Sequence, residues 1–403
     1  MHESVDFLVI GGGIIGLSLA RAIRSEWPEA KVFVIEKEEN SISHASGRNS
    51  GVLHAGFYYS PDTLKATLTR EGNQSMREFC LSRGLELRET GKVVVASTPH
   101  QLAALDELYR RGQINGVTLE MIDEKRLAEL EPLAKTIERA LWSPNTAVAN
   151  PKEVTAEIAK MAYTEGISVS YNESFIRYHD GILTTSLRSY KAKHFVNCAG
   201  LFADRVAKEF GHCDDYTMLP FTGLYAYAPN LKGTLRRHVY PVPDAQNPFL
   251  GVHATVTVDG SVKIGPTAIP AFSREAYRAL RDLNIVDVIE IARVYPKFFS
   301  SEHHNVRRLI TTEVPKYSRS WLVHEAQKLV PSLRRRDFTV KGAPGIRAQL
   351  FDLKNRKLEM DFVVRGDAAS THVLNAVSPA WTSSLPFAKH VVADISKRVQ
   401  TFR

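Results

Sequence analysis

The sequence predicts an α/β fold: a Rossmann-like unit that binds a dinucleotide, discontinuous along the chain, joined to an α+β substrate unit with a mainly antiparallel sheet. Three patterns predict it. Residues 5–10 are a short apolar run cut off by Gly11-Gly12-Gly13-Ile14-Ile15-Gly16. Leu17, Ala20 and Ile23 then recur at helical spacing, and Val32-Phe33-Val34-Ile35 makes a second apolar strand ending on Glu36. From about residue 216 to Ile269, short strand-like runs broken by Gly and Pro replace helical periodicity.

Each part of the first unit has a physical task. Gly11 makes the tight turn, Gly13 lets main chain approach a pyrophosphate, and Gly16 lets helix pack closely on strand. The helix N-terminus, with Ile14 and Ile15 in its first turn, directs N–H groups and partial positive charge at that phosphate. Glu36 stands at the distance from Gly16 that suits ribose hydroxyls, with Lys37 beside it. An acid there disfavours a 2′-phosphate, and so NADP, but leaves NAD and FAD open.

Composition narrows the class. The chain has 403 residues, 24% charged and 44% hydrophobic, enough for two or three packed units. The formal net charge of +8 suits anionic metabolites, and the basic residues are scattered. The densest cluster, Arg334-Arg335-Arg336, reads as a solvated helix end, so no nucleic acid is expected as a partner. Cys80, Cys198 and Cys213 form no CxxC pair, which argues against a disulfide framework or a zinc site and suits a reducing compartment. No metal is expected. Residues 7–20 lack a basic flank and are too short to span a bilayer, so the expectation is a cytoplasmic protein, with peripheral membrane contact left open.

The segment from Ser43 to Tyr59 separates NAD from FAD. Gly47, Gly51 and Gly56 let main chain run against a flat ligand, and Ser46, Asn49 and Ser50 add hydrogen-bonding groups, with Arg48 and Val52 completing the stretch. A nicotinamide enzyme would continue with another βα unit here. This loop resembles the flavin-contacting segment of the FAD-dependent D-amino-acid-oxidase-like superfamily. Its run Asn49-Ser-Gly-Val-Leu-His-Ala-Gly-Phe-Tyr-Tyr59 is most similar to the L-2-hydroxyglutarate oxidase/dehydrogenase family. The resemblance extends through residues 196–204, 219–225, 240–244, 248–253 and 260–266, and then through Gly345-Ile346-Arg347-Ala348-Gln349 and residues 375–379. Arg48 and the turn Phe221-Thr222-Gly223 depart from the family pattern, which bears on the substrate more than on the fold.

The resemblance implies FAD, held also by Phe175, Ala199, Gly200, Asp204, Gly345, Ile346 and Arg347, with Ser383, Ser384 and Leu385 at the start of a terminal helix. Phe175 could equally be core. The motif order implies an FAD-binding domain made of residues 1–85, 150–215 and 340–403, and a substrate or cap domain made of 86–149 and 216–339. The implied reaction is oxidation of a small 2-hydroxy acid, L-2-hydroxyglutarate to 2-oxoglutarate, by hydride transfer to flavin N5. The electron acceptor, O2 or a quinone, and the oligomeric state stay open.

For the hydroxyl proton, His54 is the first candidate base, because an imidazole accepts protons near neutrality; the alternative is a histidine that only hydrogen-bonds flavin or loop. His253 is the reserve. Arg347 can hold a carboxylate bidentately, and Arg48 is a second anion contact or a phosphate neighbour. Tyr58, Tyr59 and Tyr225 are candidate pocket walls. Thr382-Ser383-Ser384 before Pro386 read as caps of the terminal helix, whose N-terminus would favour reduced anionic flavin. The rival readings are an FAD-dependent glycerol-3-phosphate dehydrogenase, an amino-acid oxidase, and, from another class, a flavin-dependent tRNA-modifying or RNA-binding protein.

Overall fold

The structure is a computed structural model and describes residues 2–244, 247–302 and 306–399. Its nucleotide layer begins with β1 (Glu3–Ile10), α1 (Ile14–Glu26) and β2 (Val32–Ile35). β1 pairs in parallel with β2 and with Ser189–Asn197. Beyond these, Ser168–Ser170 pairs with β2 and Ser370–Asn375 with Ser189–Asn197, again in parallel. A parallel sheet is covered on both faces, and its central stretches, Phe7–Ile10, Val32–Ile35 and Phe195–Val196, are apolar and buried for that reason. Phe7, Val9 and Val34 meet α1, Pro151–Thr164 and the terminal helix Ala380–Arg398 on one face. Leu8, Ile10, Phe33 and Phe195 form a second cluster on the other.

Two expectations need correction here. The run Ser170-Tyr-Asn-Glu-Ser-Phe-Ile-Arg177 reads from the sequence as a single strand beside the first two, but it is not one. Ser168–Ser170 ends beside β2, and Phe175–His179 starts an antiparallel hairpin with Ile182–Thr185. Between them Asn172 adopts φ 56°, and the buried Glu173 carboxylate accepts from Thr185 Oγ1 at 2.6 Å and Tyr190 Oη at 3.0 Å, which turns the chain. The terminal helix also starts earlier than its hydroxyls suggest, at Ala380 with Pro379 as N-cap. Thr382, Ser383 and Ser384 lie inside it, buried, and Pro386 sits in its interior. Helix α2 (Leu64–Ser82) packs against this stretch, where a Cβ on Gly72 would sit 2.4 Å from the Thr382 carbonyl oxygen. The hydroxyls are therefore interior groups of a helix–helix contact.

The second layer is an eight-stranded sheet. In order it runs Val340–Lys341, Ala226–Ala228, Val262–Gly265, His253–Val256, His238–Pro241, Lys92–Val95, Arg139–Ser143 and Glu120–Asp123. All its pairs are antiparallel except His238–Pro241 with Lys92–Val95. Between the layers, Tyr216–Gly223 pairs along its whole length with Gly345–Asp352. That register sets Arg347 opposite Phe221. Of the segment after residue 340, Val363–Gly366 and Ser370–Asn375 rejoin the nucleotide sheet, while Val340–Lys341 belongs to the eight-stranded, mainly antiparallel sheet and Gly345–Asp352 pairs with Tyr216–Gly223.

Candidate active site

One cavity of about 1190 Å³ runs from the N-terminus of α1 to the space beneath the antiparallel sheet. At its nucleotide end Gly11 has φ +105°, and a Cβ there would lie 2.4 Å from the Cys198 carbonyl oxygen. Only glycine makes that turn. The Ser46 hydroxyl accepts the Ile14 N–H at 2.9 Å, so the loop, and not Gly13, caps α1. The Glu36 carboxylate accepts from the N–H groups of Gly12 (2.7 Å) and Glu38 (3.0 Å), which hold it at the cavity edge with lone pairs left for a hydroxylated ligand.

Most of the expected contacts meet here. Gly13, Ile14, Ile15, Gly16, Lys37, Asn49, Ser50, Val52, Phe175, Ala199, Gly200, Gly345 and Ile346 all line the cavity. Arg48 lines it too, but its guanidinium is engaged: Nε donates to the Ser43 carbonyl at 2.5 Å, and the group lies 4.3 Å over the Tyr277 ring. The Lys37 ammonium is bound by Glu38 and Glu275 at 2.5 Å each. Burial disfavours its charge, yet the hydrogen bonds to Glu275 and Glu38 win and raise its pKa.

Six expected contacts do not reach the cavity wall. Gly47 and Gly51 pack on the Ile42 and Ala149 carbonyls. Asp204 is fully buried in a bidentate pair with Arg274, at 2.5 and 2.9 Å, and so holds two segments together and not a ligand. Ser383, Ser384 and Leu385 face the helix-packing interior, because the helix has already begun by then. What the terminal helix presents to the cavity is its first turn, Ala380, Trp381 and Thr382.

The far end gathers His54, Tyr58, Tyr59, Tyr225, His253 and Arg347, as expected, together with Lys65, Tyr240 and Phe249. His54 is positioned through its backbone: its N–H donates to Thr382 Oγ1 (3.3 Å), and the same hydroxyl donates to the Val52 carbonyl (3.1 Å). Burial, then the positive field of Lys92, holds its pKa well below the usual imidazole range. It is a neutral acceptor at physiological pH. His253 is otherwise occupied. Its Nδ1 contacts the Gly251 carbonyl at 2.9 Å, its ring stacks on Tyr240 at 3.8 Å, and burial lowers its pKa to about 3.

Arg347 makes no hydrogen bond or ion pair with any described residue; its guanidinium lies 4.9 Å over the Phe249 ring and faces the cavity. Burial lowers its pKa, as it must for a cation removed from water without a counter-ion. Tyr58 Oη and Trp381 Nε1 are also buried without a hydrogen-bond partner among the described residues. Such orphaned donors at a cavity wall are seats for a bound group.

Three participants were missed from sequence. Lys65 belongs to the buried stripe Lys65, Leu68, Gly72, Met76, Phe79 of α2, and a lysine on such a stripe is the signal that could have found it. Lys92 opens the apolar run Lys92-Val93-Val94-Val95 and is fully buried, its ammonium boxed by the rings of Phe57, Tyr58 and Tyr240 at 4.5–5.0 Å. Thr382, whose place before Pro386 suggests a cap, instead positions the His54 backbone. Burial lowers the Lys92 pKa to about 7. From the unfolded value of about 10.4 down to about 7, the unfolded chain binds a proton that the fold does not, so stability declines as pH falls through that window and then levels off. Lys92→Met should therefore raise the melting temperature at pH 7, with a gain in stability on the order of a few kcal/mol, because it removes a buried cation that has no hydrogen-bond partner among the described residues. It should also move the acid limb of kcat/KM upward, since Lys92 helps keep His54 neutral. A melting curve and a pH profile check both.

Comparison with known proteins places this geometry. The family profile described as DAO, FAD dependent oxidoreductase, matches residues 6–394. The chain is 35% identical to the mitochondrial L-2-hydroxyglutarate dehydrogenase of Caenorhabditis elegans, over 98% of this chain and 93% of that one. It is 33% identical to the L-2-hydroxyglutarate dehydrogenase of Escherichia coli K12, over 97% and 93%. Among solved structures, the L-alpha-glycerophosphate oxidase of Mycoplasma pneumoniae with FAD bound superposes with a TM-score of 0.78 at 22% identity, over 98% of this chain and 95% of that one. The glycine oxidase of Bacillus cereus superposes with a TM-score of 0.71 at 15% identity, over 98% and 96%. These two likenesses show the fold.

Proposed function

The chain belongs to the DAO family of FAD-dependent oxidoreductases, and from that premise we propose that it oxidises L-2-hydroxyglutarate to 2-oxoglutarate. The observation that carries the substrate class is Arg347: a buried guanidinium with no partner among the described residues, facing the same cavity as a neutral histidine. A planar fork in that state is completed by a carboxylate.

The residues present suit FAD. Gly11 and Gly13 leave the close approach a pyrophosphate needs, the first turn of α1 faces it, Glu36 is set for ribose hydroxyls, and the orphaned Tyr58 and Trp381 donors stand farther along the wall. The first turn of the terminal helix adds its partial positive charge on the same side. When bound, FAD supplies the hydride acceptor at N5.

The rest is the work of this chain. Arg347 binds and orients the substrate C1 carboxylate. His54 takes the C2 hydroxyl proton, its charge state prepared by burial and Lys92 and its backbone held by Thr382. Tyr59, Tyr225 and Phe249 wall the cavity from water, and burial raises the phenol pKa values of Tyr59 and Tyr225 so that both stay neutral. Residues 1–85, 150–215 and 340–403 form the FAD-binding domain and 86–149 and 216–339 the substrate or cap domain, with His54, Lys65 and Arg347 reaching the substrate end of the cavity from the first and Val340–Lys341 joining the antiparallel sheet. The enzyme works in the cytoplasm and passes electrons to O2 or a quinone. Among the described residues no helix is long and apolar enough to cross a membrane.

Turnover with an artificial electron acceptor tests the reading: L-2-hydroxyglutarate should be oxidised far faster than its D enantiomer or glycerol 3-phosphate. Preference for glycerol 3-phosphate would replace the carboxylate reading with a phosphate one.

A further inference from the structure

We propose that Lys65 forms a second anion subsite in this cavity, one that binds the distal carboxylate of a dicarboxylate substrate and so separates dicarboxylates from monocarboxylic 2-hydroxy acids. The proposal rests on the reading of Arg347 as the anchor of the first carboxylate.

Lys65 stands in the first turn of α2, is only 4% exposed and lines the cavity. Its backbone is held by hydrogen bonds. Asp361 caps this helix, accepting the N–H groups of Leu64 (2.9 Å) and Lys65 (3.0 Å), and its Oδ1 also takes the Phe362 N–H at 2.8 Å. The nearby carboxylate is thus committed to backbone donors, and the Lys65 ammonium makes no hydrogen bond or ion pair with any described residue. The ammonium lies 5.8 Å from the Phe362 ring centroid and feels the attraction of Asp361 without bonding it.

Burial, and then repulsion from Arg347, lowers the Lys65 pKa to about 7. The two cations therefore repel each other across the cavity; Asp361 attracts Lys65 and Glu313 attracts Arg347, but neither acid forms an ion pair or hydrogen bond with them, and burial outweighs both attractions. A buried cation is retained at such cost where something pairs with it in the working state. A single carboxylate would relieve one of them. Two carboxylates on one short chain relieve both, and the ligand class with that charge pattern is a dicarboxylate. On binding it, Lys65 gains an anion and its pKa rises, so a dicarboxylate should carry a proton into the complex near neutral pH.

The test uses the FAD-loaded protein and two non-reacting probes of equal length, glutarate and pentanoate, read by perturbation of flavin absorbance and by calorimetry in buffers of different ionisation enthalpy. Wild type should bind glutarate more tightly than pentanoate and take up a proton with glutarate alone. In Lys65→Met, glutarate affinity should fall roughly 30-fold or more toward that of pentanoate, the loss expected when one partner of a buried charge pair is removed. Pentanoate affinity should be unchanged and proton uptake abolished, while Lys65→Arg should retain the preference for glutarate. Equal loss for both probes, or an unaltered glutarate preference in Lys65→Met, would overturn the subsite. Flavin content and melting temperature show whether the variant is folded; if Lys65→Met does not fold, Lys65→Arg still decides, because abolished glutarate selectivity there overturns the proposal and retained selectivity supports it. Should wild type fail to oxidise L-2-hydroxyglutarate while keeping the glutarate preference, the function reading fails and the subsite stands.

Discussion

His54→Gln should slow anaerobic flavin reduction by L-2-hydroxyglutarate by about 10²–10⁴-fold, the contribution typical of a positioned general base. FAD should stay bound, because the contacts of this position to the loop are made by its backbone N–H to Thr382 and not by its ring. The wild-type pH profile carries the same signature. A group whose folded pKa is depressed loses its function only when acid reaches that depressed value, so the acid limb of kcat/KM should lie below the ordinary histidine value of about 6.5 and be missing in His54→Gln. A variant that keeps its flavin and loses less than about tenfold in rate would remove His54 from the base role.

Arg347→Met should lower kcat/KM by about 30- to 4,000-fold, corresponding to the roughly 2–5 kcal/mol lost when one member of a buried charge pair is truncated. The loss should appear in both KM and kcat, because the carboxylate anchor also orients C2. Stability should move the other way. Deleting a buried cation without a counter-ion removes a desolvation penalty, so the substrate-free variant should melt no lower than wild type. Arg347→Lys keeps charge but loses the two-pronged geometry, and should recover only part of the rate. If stability falls sharply in Arg347→Met, the arginine is structural.

Much of the nucleotide end was legible in the sequence, because its determinants are local. Gly11 to Gly16, Glu36 and the Ser46–Val52 loop act within a strand–turn–helix whose spacing is written in consecutive residues, and parallel strands buried on both faces read as unbroken apolar runs. The substrate end was legible only in part, since Arg347 is set by the long-range pairing of residues 345–352 with 216–223 and His54 by Thr382, far along the chain. Asp204 shows the limit from the other side: it lies in a segment similar to a flavin-binding turn, yet Arg274, seventy residues on, claims its carboxylate. Ser383 and Ser384 looked like caps because hydroxyls before a proline usually are; the packing of Gly72 against Thr382 carried the helix further back. Lys65 and Lys92 were hidden for a related reason, as a lysine on a helix stripe or at the edge of a short apolar run is ordinarily a snorkelling surface residue and only tertiary burial makes it otherwise.

The central claim is that one cavity brings a flavin and a 2-hydroxy dicarboxylate together. Mixing the purified FAD-loaded protein with L-2-hydroxyglutarate in the absence of oxygen tests it most directly. The account predicts that the yellow oxidised flavin bleaches and that 2-oxoglutarate forms in stoichiometric amount. A spectrum that stays oxidised with saturating L-2-hydroxyglutarate, in protein whose flavin dithionite still reduces, would contradict it.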